Sequence, residues 1–172
     1  MSTKDERDEE FRAFVCASSQ SLSKTAWLLT GDAELAADLV QEAYTRVYAA
    51  WGRVRRGEAI AYARRVLVNA NVDRWRRGHA ETPMEDVDRA EDSNAEAAVD
   101  DRDQVARLLA KLPKRQRAVV VLRYANDLSE QAVAEQLGVA VGAVKSAASR
   151  GLAALRADAE CDLELELRKG RS

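Results

Sequence analysis

Arginine is the residue type whose placement in this chain most directly indicates chemistry. Residues 53–78 carry eight basic and two acidic side chains, a net charge of +6. The later arginines of this block are Arg64, Arg65, Arg74, Arg76 and Arg77. A cluster of guanidinium groups suits the binding of nucleic-acid phosphates, because each contact releases condensed counterions. A solvated basic helix face is the alternative interpretation.

A second set of polar residues has the spacing of one helical face. Asp38, Gln41 and Glu42 stand at i, i+3 and i+4, so that two carboxylates and an amide would project from the same side of a helix. Such a face suits a basic partner. A solvated helix surface would account for the same spacing.

Residues suited to catalysis or metal binding are scarce. His79 is the only histidine, and Cys16 and Cys161 stand near opposite ends of the 172 residues. The sequence therefore lacks the residues for a Ser-His-Asp triad, a Glu-x-x-His di-iron site or a disulfide framework. We expect two free thiols, no metal, no cofactor and no active site.

The composition predicts an all-α protein. Apolar residues make up 47% of the chain and charged residues 33%, with only two prolines, and the abundant Ala, Leu, Glu and Arg favour helices. The longest stretch without a charge, residues 13–23, is shorter than the roughly 18 residues of a membrane span. The acidic N-terminus is unlike a signal peptide. We expect a cytoplasmic protein that does not associate with membranes.

Charge also divides the chain. Residues 79–103 carry two basic and ten acidic side chains, a net charge of −8, whereas residues 104–160 have a net charge of +4. The acidic stretch contains Pro83 and few large apolar residues, which is typical of a linker. We therefore predict one small helical domain at 1–78, a linker at 79–103, a second helical domain at 104–160 and a tail at 161–172. For the tail, a frayed end is favoured over a partner-binding segment.

Helical periodicity predicts three helices in the first domain. Apolar residues spaced by three and four form stripes over 11–29, 35–51 and 59–70, the last helix continuing to about Arg77. Gly31 is suited to end the first helix, and Asp32 can cap the second. Three such helices can share one core.

The second domain carries the pattern of a helix-turn-helix. Ser129 and Gly138 bracket a helix of eight or nine residues, and a longer helix follows from about Val141 to Ala159. In a helix-turn-helix the second helix enters the major groove of DNA. An ordinary helical hairpin is the alternative. A short helix closed by Pro113 precedes the pair, and the leucines around it are expected in the core: Leu108, Leu112 and Leu122.

Three stretches, in this order, resemble the extracytoplasmic-function group of bacterial sigma factors: residues 38–43, 62–77, and 128–138 with 144–146. The resemblance covers most of the chain. It implies sigma region two, a linker and sigma region four with its helix-turn-helix. It further implies a transcription initiation factor that binds core RNA polymerase, directs it to promoter DNA and leaves nucleotidyl transfer to the polymerase.

The resemblance also assigns roles in the first domain. Asp38, Gln41 and Glu42 would contact the β′ clamp helices of polymerase. The third helix would melt and read the minus-ten element, with Asn69 against an extruded base, the arginines on phosphates and Trp75 as a stacking face or a core residue. Residues 52–57 would form the loop that shapes the base pocket.

In the second domain, Lys145, Ser146, Ser149 and Arg150 resemble the readers of the minus-35 element. The β flap of polymerase is the partner expected for this region. Ala143 and Ala147 depart from the family, which has Thr and Arg at these positions. The departure predicts fewer donors for guanine in the major groove.

Two other functions fit parts of the same pattern. A free-standing helix-turn-helix regulator, with the first domain as a sensor or dimer module, would bind duplex DNA tightly without polymerase. A helical adaptor would have no role for the basic third helix. The sequence specifies neither the promoter, nor the inducing signal, nor an anti-sigma factor as partner.

Overall fold

The computed structural model describes residues 3–78 and 101–169. Every regular element in these two ranges is helical, so the all-α prediction is confirmed. The chain divides into two compact units, Met1–Glu81 and Thr82–Ser172. None of the helices in the described ranges has the length and apolar character that a membrane crossing requires. The predicted acidic linker lies outside the described residues except for 101–103, and His79 lies outside them as well.

The first unit is built from three long helices. They are α1 (Lys4–Thr30), α2 (Ala33–Ala50) and α3 (Ala59–Gly78), with a single 3₁₀ turn at Arg56–Glu58 before α3. Leu22, Leu39 and Leu67, one from each helix, are fully buried. The predicted apolar stripes therefore meet in one core.

The helix ends in this unit follow from local chemistry. Thr3 and Glu6 form a capping box at the start of α1. Gly31 takes the left-handed conformation (φ 64°) that ends α1. The Asp32 carboxylate accepts a hydrogen bond from the backbone N–H of Leu35 at 3.0 Å, which caps α2 as predicted.

An aromatic cluster fixes α1 against the C-terminal half of α2. The ring of Phe11 lies 5.0 Å from that of Tyr48 and 5.1 Å from that of Trp51, centroid to centroid and edge-on in both cases. Phe14 lies 5.1 Å from Trp51. Edge-on pairs of this kind contribute about 0.5–1.5 kcal/mol beyond their buried area. The end of α2, and the loop that follows it, therefore have a fixed position on α1.

The second unit contains α4 (Asp101–Ala110), α5 (Lys114–Val120), α6 (Glu130–Leu137) and α7 (Val141–Lys169). Ser129 caps α6 through the N–H of Ala132, and Gly138 ends it at φ 65°, both as predicted. A single π turn, Val121–Ala125, extends α5, and the Arg123 guanidinium donates to the carbonyl of Leu128 across the following bend. The periodicity gave no sign of this turn.

A buried arginine ties α5 to α4. The Arg117 side chain is buried, and its Nε donates to the carbonyl oxygen of Leu109 at 2.8 Å. That carbonyl also accepts from the backbone N–H of Leu112 at 3.1 Å, and it belongs to the last turn of α4, where the helix dipole favours a cation. Burial lowers the pKa of the Arg117 guanidinium from its ordinary value. The guanidinium stays protonated, since arginine is not deprotonated in proteins.

The last helix is longer than the sequence predicted. The prediction ended it near Ala159 and favoured a frayed tail over 161–172, whereas α7 continues without interruption to Lys169. The prediction of a frayed end was therefore wrong for 161–169. No glycine or proline stands between Leu152 and Lys169, so nothing local breaks the backbone hydrogen bonds before Gly170.

Close packing of α7 against α5 depends on one glycine. A Cβ atom placed on Gly151 would lie 2.8 Å from Val120 Cγ2, which is closer than carbon atoms approach without strain. Gly142, in the first turn of the same helix, has nothing within 4 Å of the corresponding position. The two glycines therefore differ in packing while sharing a helix.

We predict that Gly151→Ala destabilises the second unit by about 1–3 kcal/mol, because overpacking outweighs the gain in helix propensity. Gly142→Ala is the matched control and should be neutral or stabilising by up to about 1 kcal/mol. Hydrogen exchange of amides in α5 and α7 measures the effect, since all three tryptophans, Trp27, Trp51 and Trp75, report on the first unit. Equal protection in the two variants would contradict the prediction.

Candidate functional site

The outer face of α2 carries the acidic set. Asp38 and Gln41 are exposed, while Leu39 and Ala43 on the opposite side are fully buried. Glu42 is partly buried and accepts a hydrogen bond from Arg46 Nη2 at 2.6 Å. Asp38 makes no ion pair with any described residue. The face thus presents one open carboxylate, one carboxylate held within the helix, and an amide.

The basic set on α3 does not form a single stripe. Arg65, Asn69 and Arg76 are separated by four and seven residues and so project from one side of the helix. Arg65 and Arg76 are exposed, and Asn69 is partly exposed. Arg74 and Arg77 are also exposed, but their spacing places them on other sides of the last turns.

Two further members of the set are partly buried. Arg64 and Trp75 are eleven residues apart on α3, which places them on one side, and both have intermediate exposure. Burial lowers the pKa of the Arg64 guanidinium. Trp75 lies between the two predicted roles, since it is neither a fully buried core residue nor a freely exposed ring.

Two tyrosines of α2, three and seven residues after Gln41, contact α1 beside the acidic face. Tyr48 donates a hydrogen bond to the Asp8 carboxylate at 2.6 Å, which raises the pKa of the Tyr48 hydroxyl. Burial raises the pKa of Tyr44, whose hydroxyl lies 2.9 Å from Ser18 Oγ. Both tyrosines remain neutral and act as structural hydrogen-bonding groups.

The recognition-helix set lies together on the outer face of α7. Lys145, Ser146, Ser149 and Arg150 are all exposed, and they pair by position at i, i+4. Lys145 Nζ lies 3.8 Å from the Glu130 carboxylate in the first turn of α6. Arg150 Nε donates to the backbone carbonyl of Ser146 at 3.4 Å. The face therefore offers two cations and two hydroxyls.

Comparison with known proteins identifies the family. The family described as "Sigma-70 region 2" matches residues 15–81, and "Sigma-70, region 4" matches residues 102–155. The RNA polymerase sigma-E factor of Streptomyces avermitilis is 36% identical over 153 residues, which is 88% of this chain and 86% of that protein. The chain belongs to the extracytoplasmic-function sigma factors.

Further relatives agree with this assignment. The ECF RNA polymerase sigma factor SigM of Mycobacterium tuberculosis is 36% identical over 139 residues, covering 79% of this chain and 70% of that protein. The sigma factor RpoE of Bartonella quintana, solved in complex with the anti-sigma factor NepR, has the same fold. It aligns with a TM-score of 0.64 at 24% identity over 86% of this chain and 95% of that one. As a sigma factor, the chain directs RNA polymerase to promoters.

One expectation for the recognition helix of this sigma factor is corrected. Ala147 is only 3% exposed and Ala148 is also buried, so position 147 packs against the core of the second unit. The absence of Arg at 147 therefore does not remove a donor from the exposed face. Ala143 is partly exposed and remains a position where Thr would add a hydroxyl.

Two large apolar side chains of the second unit lie at its surface and not in its core. Leu112 and Leu122 are buried as predicted, and Leu108 is partly buried. Among the described residues, the large apolar side chains with the greatest exposure are Val105 at 51% and Tyr124 at 53%. Periodicity places Val105 in the apolar stripe of α4, three residues before Leu108, so its exposure differs from the expectation. Tyr124 belongs to no apolar stripe.

In the described part of the sigma factor, the residue types that bind metal ions are scattered. Cys16 and Cys161 are both exposed free thiols. The described residues contain no group of three or more His, Cys, Asp and Glu side chains that could hold a metal ion.

Proposed function

We propose that this sigma factor divides promoter recognition among three surfaces. The α2 face of Asp38, Gln41 and Glu42 binds the β′ clamp helices, the basic side of α3 binds the minus-ten element, and the α7 face binds the minus-35 element. The observation that supports this division is that each set lies on a helix whose opposite side is packed in a core. Each surface can therefore bind a partner without loss of packing.

Electrostatics supports the clamp assignment. Exposed charges contribute little to folding, but they steer association and fix register with a complementary partner. A basic partner would meet Asp38 directly and would share Glu42 with Arg46, whose guanidinium lies 2.6 Å from it. Asp38 is therefore the residue on which this contact most depends.

The minus-ten assignment rests on the chemistry of α3. Bases that leave the duplex are held by hydrogen bonds to their edges and by stacking, and the melted strand by cations on its phosphates. Asn69 offers both a donor and an acceptor between Arg65 and Arg76 on the same side. Trp75 offers a partly exposed ring.

The minus-35 assignment separates base contacts from phosphate contacts. Lys145 and Ser146 belong to the first turns of α7, which in a helix-turn-helix meet the base edges. Arg150 stands more than one turn further along and suits a backbone phosphate. Polymerase performs the nucleotidyl transfer, and the sigma factor itself has no catalytic role.

The β flap and an anti-sigma factor are proposed as additional protein partners; the solved RpoE of similar fold is bound to such a factor. Because polymerase and promoter DNA are its partners, the protein works in the cytoplasm.

We predict that the double variant Asp38→Lys, Glu42→Lys binds core polymerase at least about tenfold more weakly, because two attractive charges become repulsive. Asp5→Lys, Glu9→Lys on α1 is a matched control: it has the same charge change and i, i+4 spacing, and Glu9 is likewise paired, with Arg12. Affinity for core measured by fluorescence anisotropy tests the contact. Equal loss in both variants would mean that net charge, not this face, governs binding.

We predict that Asn69→Ala lowers run-off transcription both from duplex promoter and from a template already melted at the minus-ten element, because the lost contact is to an extruded base. Arg46→Ala, on the outer face of α2, provides a control that should not distinguish the two templates. Full activity of Asn69→Ala on the melted template would contradict base recognition by this residue.

We predict opposite signatures for two cations of α7. Lys145→Ala should flatten the preference among minus-35 variants, because a base-edge contact contributes about 1–3 kcal/mol of discrimination. Arg150→Ala should reduce transcription from all variants alike and lower the salt slope of binding by about one. Transcription from a panel of minus-35 sequences separates the two, and the reverse pattern would show that the helix is placed differently in the groove.

A further inference from the structure

The loop between α2 and α3 contains three arginines to which no role has been assigned above. Arg53, Arg55 and Arg56 stand within residues 52–57. Their side chains are not equivalent in the structure. One is held against the protein, and two point away from it.

Arg56 is the arginine that the protein holds. Its Nε and Nη2 both donate to Glu10 Oε2, at 3.0 and 2.5 Å. Its Nη1 donates to the carbonyl oxygens of Trp51 and Val54, at 2.9 and 3.3 Å. The guanidinium carbon lies 4.3 Å from the centre of the Trp51 ring. Every nitrogen of the group is thus engaged, and its carbon lies over the indole ring.

The contacts of Arg56 join three parts of the first unit. Trp51 is 1% exposed and belongs to the aromatic cluster, so it is a rigid base for the stack. Its carbonyl lies at the C-terminal end of α2, which has no basic residue in its own last turn. Arg56 therefore supplies the cation that this helix end favours, while Glu10 connects the loop to α1. The loop backbone is fixed by an interaction that only a planar, multidentate cation can make.

Arg53 and Arg55 have a different environment. The Arg55 side chain is 85% exposed, and its single ion pair, to Glu58, is long at 3.8 Å. Arg53 is exposed and makes no ion pair with any described residue. Two cations on a short loop of fixed position form a preorganised anion site. Because the loop backbone is already ordered, binding need not order it.

We propose that Arg53 and Arg55 bind backbone phosphates of the promoter strand next to the base read by α3, and that Arg56 and Glu10 are positioning residues that hold the loop for this purpose. The proposal rests on the assignment of α3 to the minus-ten element. Nucleic acid is favoured over an acidic protein segment because the loop leads directly into α3, whose first exposed cation is Arg65. Between Arg56 and Arg65 the sequence holds one acidic residue, Glu58.

Holoenzyme binding to a fork-junction DNA, with the non-template strand single-stranded across the minus-ten element, tests the two roles separately. Arg53→Ala and Arg55→Ala should each lower the slope of log affinity against log salt by about 0.7, the value expected for one single-strand phosphate. Preference among minus-ten bases should not change. Arg55→Lys, which keeps the point charge, should restore most of the slope.

Arg56→Lys tests the positioning role. The charge is retained, but the multidentate contacts to Glu10 and the contact over the Trp51 ring are lost, so that both loop cations lose their position. The salt slope should therefore fall by up to about 1.4, the value for two single-strand phosphates, while the preference among minus-ten bases stays the same. Glu10→Gln should act in the same direction and more weakly, and it serves as the second variant should Arg56→Lys unfold. Thermal melting of the first unit by tryptophan fluorescence confirms that each variant is folded.

A charge control and two outcomes distinguish phosphate binding by the loop from base recognition by Asn69. Arg12→Ala on α1 is the control for overall charge and should leave slope and preference unchanged. An unchanged slope in Arg53→Ala, Arg55→Ala, with weaker binding to core polymerase, would overturn the phosphate assignment in favour of a protein contact. If Asn69→Ala has no effect on base preference while the loop variants still lower the slope, the role of Asn69 fails and the loop proposal stands.

Discussion

The interaction on which the first unit depends is the burial of one apolar stripe from each of three helices against the other two. Leu22, Leu39 and Leu67 are each fully excluded from solvent. Burying a leucine side chain contributes about 1.5–3 kcal/mol, and no other type of contact in the unit is as extensive. Because the stripe fixes how each helix is rotated, it also decides which residues remain outside. The positions of Asp38 and Gln41 are a consequence of where Leu39 and Ala43 must lie.

Features governed by local chemistry were predictable from the sequence. Gly31, Asp32, Ser129 and Gly138 end or begin helices where expected, because a left-handed glycine or a capping side chain acts on backbone groups only a few residues away. The exposure of Lys145 follows in the same way from the spacing of its neighbours. Periodicity was less reliable at Ala147, since alanine is compatible with either side of a helix and gives no direction.

Features governed by distant partners were not predictable. Glu10 and Arg56 are 46 residues apart in the chain, and Arg117 binds a carbonyl in a different helix. A count of charges treats these arginines as equivalent to Arg53 and Arg55. The structure divides them into cations that complete the fold at helix ends and cations that remain available to a partner. This division explains why net charge located the basic block but could not say which of its members are held by contacts within the fold.

Small residues limit how many polar side chains the recognition helix α7 can offer to DNA bases. Ala147, Ala148 and Gly151 face the core and allow α7 to approach α5 closely, as the 2.8 Å limit at Val120 shows for Gly151. In the first three turns of α7 the exposed polar side chains are Lys145, Ser146, Ser149 and Arg150, and one of them, Lys145, lies close to Glu130. Few donors limit the discrimination available from direct base contacts, each of which contributes about 1–3 kcal/mol. In the proposed function, the minus-35 contact therefore positions the holoenzyme more than it selects the promoter, and selection depends more heavily on α3.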